Sequence, residues 1–456
     1  MFARFQTAWI VAATAWSLAL CSSGRAQSYQ GSVLYPLATP YGFYDDLLDS
    51  LFGHQLHAAP GQVVGFSRTW GDAFHALMWD QSGNVIDLQP TGLSGFLQSK
   101  GFGGSATHQF GSAWNPFIGS EQAVVWSGTA ASAVNWLPTN ISITHSRMAS
   151  SDGGQYVGSF GTAFGSERAA LWNGSSAAAV NLHPTSLGYV DQSRALAVHS
   201  GRQGGGGLTT TGAEHAMLWS GTANSAVDLH PTMLPEVQNS TIFGMHGDQQ
   251  VGIGETLDYN ARALLWTGTA KSAINLHPTQ LSLYAQTRAV ATNGSIQVGG
   301  ALTLSEIQHA MAWSGSASSA VVLHSLLPSG FYMSGATSVD AQGVIYGLAV
   351  NESDVIHAVR WTPIASGLPG DFNNDGSVNH LDLPSWRNSF GMASGATVAQ
   401  GDADNDGDVD GADFLAWQRN LSGAGALPVA GSVPEPRGCA LGFAVALAPL
   451  IRRRRD

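Results

Sequence analysis

Charge is what this chain has least of. Only 11% of its 456 residues are Asp, Glu, Lys or Arg, less than half the ~25% of an ordinary globular protein. Lysine is reduced to Lys100 and Lys271, and 19 cationic side chains against 31 acidic ones leave a net charge of −12. That balance argues against a protein that tracks nucleic-acid phosphates. Cysteine is as scarce: Cys21 and Cys439 are the only two, and both fall in terminal segments that read as processing signals. The body therefore has no disulfide to lean on and must be held by its core. With 18 prolines the chain is not a proline-driven disordered one. The catalytic and nucleotide-binding signatures Gly-x-Ser-x-Gly, His-Glu-x-x-His and the phosphate loop are absent.

What the chain does have is glycine, 56 residues of it, with Ser, Thr, Ala and Val, a composition of short strands and tight turns. It also repeats itself. Tryptophans stand at Trp79, Trp126, Trp172, Trp219, Trp266, Trp313 and Trp361, spaced by 46 to 48 residues. An alanine precedes each by three residues, from Ala76 to Ala358, and a glycine by 14 or 15, from Gly65 to Gly347. One unit reads as four strands: a Val-Asp-Leu-His-Pro strand first (227–231), then Ser-Arg-Ala-Leu-Ala-Val (193–198), Gln-Val-Gly (250–252) and His-Ala-Met-Leu-Trp (215–219). Four strands in such a unit are the mark of a β-propeller blade. Alternation puts Ala216 and Leu218 on one face and Met217 and Trp219 on the other. Both faces are apolar, as a blade between two blades requires. The expected fold is mainly β, a seven-bladed β-propeller over 33–366. An open β-solenoid competes, although its repeats are usually shorter. Unit one, with Val33 to Leu37 as its first strand, is degenerate, and unit two diverges around 99–118.

The strand before each tryptophan resembles the HAF repeat of extracellular proteins. It stands here as His75-Ala76, His215-Ala216, His309-Ala310 and His357-Ala358, with Gln122, Arg168 and Arg262 in place of the histidine. The resemblance implies a surface-exposed repeat protein and no catalytic residues. A second series, His183, His230, His277 and His324, recurs every 47 residues. It reads either as a metal- or glycan-binding rim or as strand ends whose imidazoles bond nearby loops. Ligands on successive blades lie too far apart to share one ion at Zn–N distances of about 2 Å. The 20 acidic residues between 27 and 369 are scattered, without the carboxylate pair of a glycosidase.

The strongest chemical signal lies at 370–421. Asp371, Asn373, Asp375, Ser377, Asn379 and Asp382 occupy positions 1, 3, 5, 7, 9 and 12 of a loop, and Asp402, Asp404, Asp406, Asp408, Asp410 and Asp413 repeat the pattern. Gly376 and Gly407 hold position 6, and position 7 is expected to offer its carbonyl. This is the ligand spacing of a 12-residue calcium loop, so two Ca2+ ions are expected. Val378 and Val409 at position 8 would pair between the loops. Helices carrying Leu383, Trp386 and Phe390, then Phe414 and Trp417, would close a small core. Nine acids here oppose Arg387 and Arg419, so the segment should be partly unfolded without calcium. The duplicated loop and helix resemble a type I dockerin. That resemblance implies docking to a cohesin-like module of an extracellular assembly. At loop positions 10 and 11, where dockerins carry a Ser-Thr type recognition pair, this chain has His380-Leu381 and Gly411-Ala412. A calcium-stapled spacer remains the alternative.

Both ends read as addresses. Arg4, the apolar run 8–20 and Gly24-Arg25-Ala26 make a signal peptide over 1–26. After a linker at 422–432, the tail 433–456 runs Val433-Pro434-Glu435-Pro436, an apolar stretch to Ile451 and Arg452 to Arg455. This order resembles the PEP-CTERM sorting signal, which implies an exosortase-type enzyme and delivery to the bacterial cell surface or matrix. A plain anchor helix is the other reading, although a stable span needs about 20 apolar residues. The whole reads as a secreted, non-catalytic protein for adhesion, scaffolding or ligand display. A hydrolase or binding subunit acting on extracellular polysaccharide is the alternative.

Overall fold

The computed structural model describes residues 28–38, 56–105, 107–161, 166–174, 178–364, 369–373, 377–404 and 406–421. The expected signal peptide, linker and sorting tail, with both cysteines, lie outside them, as does Asp375. The chain divides into two compact units, Met1–Ile364 and Ala365–Asp456.

The first unit is a seven-bladed β-propeller. Its seven sheets have four antiparallel strands each, blade one spanning 57–87 and blade six 284–322. Innermost strands touch those of both neighbouring blades in an unbroken cycle that returns from blade seven to blade one. In blade four the strands are Val190–His199, Arg202–Thr209, Glu214–Trp219 and Val227–Asp228, in that order outward.

That order corrects one expectation. The Val-Asp strand is the last of its blade, not the first: Val227 pairs with Leu218 and Asp228 with Met217 of the strand just before it. A turn at Ala223–Ser225 makes this a hairpin. The shift of phase leaves blade seven one strand short. Tyr29–Pro36 supplies it, pairing antiparallel with Ile356–Pro363 from Tyr29↔Pro363 to Pro36↔His357. First and last strands thus close the ring, and the segment read as the start of unit one belongs to the last blade. Unit two, for all its divergence, forms a complete blade.

The core is seven clusters, one per interface between blades, each with one of the seven repeated tryptophans. Met217 and Trp219 pack toward blade three, Ala216 and Leu218 toward blade five, as the alternation requires. All seven tryptophans are fully buried. The repeated glycine has an equally physical reason. The innermost strand carries a β-bulge, between Ala195 and Ala197 in blade four. Gly205 lies across from it, where a Cβ would stand 1.9 Å from the Arg194 carbonyl oxygen. Gly111, Gly158, Gly252, Gly299 and Gly347 meet the same obstacle at 1.9 to 2.2 Å.

The second unit holds helices α1 (Leu383–Ser389) and α2 (Gly411–Arg419). Its core is Phe372, Val378, Ala403 and Trp417, with Leu383, Trp386 and Phe414 packed against it. Phe390, expected in that core, falls just past the end of α1 and is 59% exposed. Val409 is fully buried, but its main chain bonds with Gly391 and Met392.

Candidate metal centre

The last residue of each acidic loop does two jobs. Asp413 is fully buried. Its Oδ1 accepts from the amides of Ala403 (2.6 Å) and Asp404 (3.2 Å), its Oδ2 from Asp410 (2.7 Å). Asp382 does the same in the first loop, accepting from Asn373 at 3.0 Å and Asn379 at 2.8 Å. Each loop is therefore curled around the carboxylate that opens its helix. Asp410 caps α2 by accepting from Ala412 at 2.7 Å, and Asn379 accepts from Leu381 at 2.8 Å. The indoles tie the halves together: Trp386 donates to the Asp410 carbonyl (2.8 Å) and Trp417 to that of Asn379 (3.0 Å).

This wrapping brings acids inward. Carboxylate oxygens of Asp402, Asp404 and Asp413 lie within 4.8 Å of one another, and so do those of Asp408, Asp410 and Asp413. Asp402 is 2% exposed, and among the described residues its Oδ1 has no hydrogen-bond partner; neither has the buried Oδ1 of Asp408. Buried carboxylate oxygens without donors are costly unless a cation meets them. Burial, then the like charges of Asp413, Asp406 and Asp402, raises the Asp404 carboxyl above its ordinary range; Asp408 rises for the same reasons. The donor set is all oxygen, which suits Ca2+ over a soft transition metal. These residues fit an ion. Asp406 stands outside both groups and accepts from the Asp408 amide at 3.0 Å. In the first loop Asp371 is buried at 2% exposure beside Asp382. Among the described residues the converging acids are all in the second loop; Asn373, Ser377 and Asn379 hold the matching positions of the first, and Asp375 lies outside the described residues.

The histidines are stitching. In blade four the Ala216 amide donates to Ser240 Oγ of blade five at 2.9 Å, and that oxygen lies 2.9 Å from His230 Nδ1. The hydroxyl, accepting from the amide, still has its own proton to offer Nδ1, an arrangement that suits a neutral ring. The same link joins His183 to Ser193, His277 to Thr287 and His324 to Ser334. Blade one uses Gln89 with Ser99. Burial, reinforced by Arg168, Arg262 and His309 respectively, pushes His183, His277 and His324 down to about 4. Among the described residues, no His joins a metal-holding group. The partner that sequence reasoning missed is the serine. Its signal was there: Ser99, Ser146, Ser193, Ser240, Thr287 and Ser334 are spaced by 47 without exception. The histidines of the His-Ala strands are bonded blade by blade: His309 to the Tyr284 hydroxyl at 2.9 Å, His357 to the Val355 carbonyl at 3.1 Å, and the other two across the hairpin. His75 and His215 bond Asp87 and Asp228 at 2.9 and 2.7 Å. Arg168 and Arg262 replace His where Asn181 and Asn275 replace the acid.

A seven-bladed propeller followed by a compact acidic loop-helix domain defines the class. Residues 369–425 match the dockerin type I domain family. Dockerin domains bind calcium and cohesin modules, and proteins that contain them are typically extracellular. No curated protein matches the chain in sequence. Among solved structures it is similar to the β-propeller domain of the Trilobed protease from Pyrococcus furiosus (8% identity, TM-score 0.43, 67% of this chain and 94% of that one). It is also similar to the BP39L lectin from Burkholderia pseudomallei (11%, TM-score 0.41, 75% and 99%) and to TolB from Acinetobacter baumannii (9%, TM-score 0.35, 74% and 100%). Among the described residues no helix is long and apolar enough to cross a membrane.

Proposed function

We propose that this is an exported, surface-sorted protein in which a non-catalytic HAF-type propeller displays a binding surface and a calcium-dependent dockerin module attaches it to an extracellular assembly. The convergence of Asp402, Asp404 and Asp413, with a buried carboxylate oxygen left unpartnered, carries this reading. One Ca2+ would sit in each loop. Asp371, Asn373, Asp375, Ser377, Asn379 and Asp382 hold the first, and Asp402, Asp404, Asp406, Asp408, Asp410 and Asp413 the second, Ser377 and Asp408 through their carbonyls. Exposed Leu381 and Leu415 suit a protein partner of the cohesin kind. The signal peptide 1–26 and the tail 433–456, the latter removed by an exosortase-type enzyme, would deliver the ring, closed by the strand Tyr29–Pro36, and the module at 370–421 to the surface.

Calorimetric titration of the metal-free mature protein tests this. Two Ca2+ ions should bind with a gain of helical ellipticity, and Asp404→Ala should leave one. One ion or none in the wild type would refute the assignment. Mass spectrometry of surface-extracted protein should find Gln27 first and Arg452 to Arg455 absent; an intact tail would favour a plain anchor.

A further inference from the structure

The two faces of the propeller differ in kind. In every blade the turn between the second and third strands lies on the same face as the connection entering that blade. Main-chain bonds show it: Thr210 to Tyr189, Leu304 to Leu283 and Glu352 to Gly330. On this face the hairpin tips raise Trp70, Phe117, Ile118, Leu257, Tyr259 and Leu304, all between 60% and 79% exposed. Among the described residues, the turns of the opposite face carry no large apolar side chain so exposed. There the tips are Gly, Ser, Asp and Thr, as at 200–201 and 220–222.

The tips share a tight turn. Tyr259 has a φ of +58°, in the left-handed region, at the turn position that Asp72, Gly212, Glu306 and Asp354 hold with the same sign of φ in other blades. A non-glycine residue there costs roughly 1–2 kcal/mol. The charge of this face limits what could bind there. The described hairpin tips carry Asp72, Asp258, Glu306, Glu352 and Asp354 but a single cation, Arg68, which is paired to Asp72 at 3.2 Å. The connections between blades have no Lys or Arg. An anionic polymer or lipid surface is opposed by this sign. A neutral polysaccharide is not: its C–H faces stack on aromatic rings, and its hydroxyls donate to the carboxylates. Aromatic platforms on three of the blades also suit a ligand that repeats its own chemistry, since several weak contacts then act together.

We infer that this face of the propeller, with Trp70, Phe117 and Tyr259 as stacking platforms, binds a neutral polysaccharide. The inference rests on the display function proposed above and names its ligand class. The test is affinity electrophoresis of the whole protein through gels containing cellulose derivative, xylan, glucomannan or starch, with alginate as the anionic control. Retardation is expected on at least one neutral polymer. Trp70→Ala, Phe117→Ala and Tyr259→Ala should each weaken it about tenfold, the loss of one contact's worth of affinity, with melting temperatures held. Tyr259→Gly should weaken it equally while melting no lower than wild type. Val227→Ala, at the rim, should change nothing. Retardation on no neutral polymer, on alginate alone, or unaltered in the three variants would overturn the inference. Retardation abolished by calcium chelation would also overturn it, because the binding would then belong to the dockerin module. Hydrolysis of a retarding polymer would end the non-catalytic reading and leave the binding face standing.

Discussion

The histidine–serine link makes single residues pH-sensitive. His183, His277 and His324 titrate near 4 in the folded ring, against about 6.5 in an unfolded chain. Between those values the unfolded state binds more protons, so stability is full above about 6.5 and is lost as pH falls toward 4. The melting temperature should drop across that window. His183→Gln combined with His277→Gln and His324→Gln should flatten the drop, because Gln89 already fills this role in blade one. An unchanged pH profile would mean that the rings stay neutral for no energetic reason. The tryptophans divide in a second way. Trp361 donates to the Leu323 carbonyl at 2.8 Å and Trp79 to Ala38 at 2.7 Å. The buried indole nitrogens of Trp126, Trp172, Trp219, Trp266 and Trp313 have no acceptor. Trp219→Ala should cost about 3–5 kcal/mol in urea unfolding. Trp219→Phe should be milder than Trp361→Phe by about 1 kcal/mol, the worth of the hydrogen bond that only the latter loses.

At the scale of the element, the blade depends on a bulge and the glycine facing it. The extra residue on the innermost strand pushes the Arg194 carbonyl toward its neighbour, and only a residue without Cβ fits at 205. Gly205→Ala should therefore destabilise the ring by about 3 kcal/mol, the upper part of the range for overpacking. Gly221→Ala, in a turn with open space around it but a φ of +79°, should cost about 1 kcal/mol through backbone strain alone. Equal effects would show that the crowding is relieved by movement of the inner strand. The helices of the second unit are too short to stand by themselves. They are held instead by Asp382 and Asp413 closing the loops and by two indole bonds across the domain.

Over the whole molecule, ring closure rests on the strand Tyr29–Pro36 from the other end of the chain. Deleting 27–36 should leave Ile356–Pro363 as an open edge, lower the urea midpoint and promote self-association through the unpaired strand. Unaltered midpoint and monomeric elution would show that the blade interfaces alone close the ring. The seventh interface is also fastened differently. There Ala58 donates to Thr337 Oγ1 at 3.0 Å and accepts from Ser338 at 2.6 Å.

Much of this was readable from residue order, because a repeated structure repeats its constraints. The tryptophan interval counted the blades, the apolar alternation of 216–219 gave both faces of a strand, and the spacing of oxygen-bearing residues at 371–382 and 402–413 marked the paired loops. These are local patterns, and strand and loop geometry converts them directly into position. The phase of the blade was not readable, since four strands in cyclic order look the same from any starting point until hydrogen bonds choose where the sheet is cut. Nor was the partner of His230 visible as such: Ser240 lies ten residues away and in the next blade. The asymmetry of the two faces came last, for it depends on which turns share an end of the ring. Periodicity determined the parts; only the closing of the chain on itself decided which edges meet, which glycines face a carbonyl, and which aromatic rings are left turned outward.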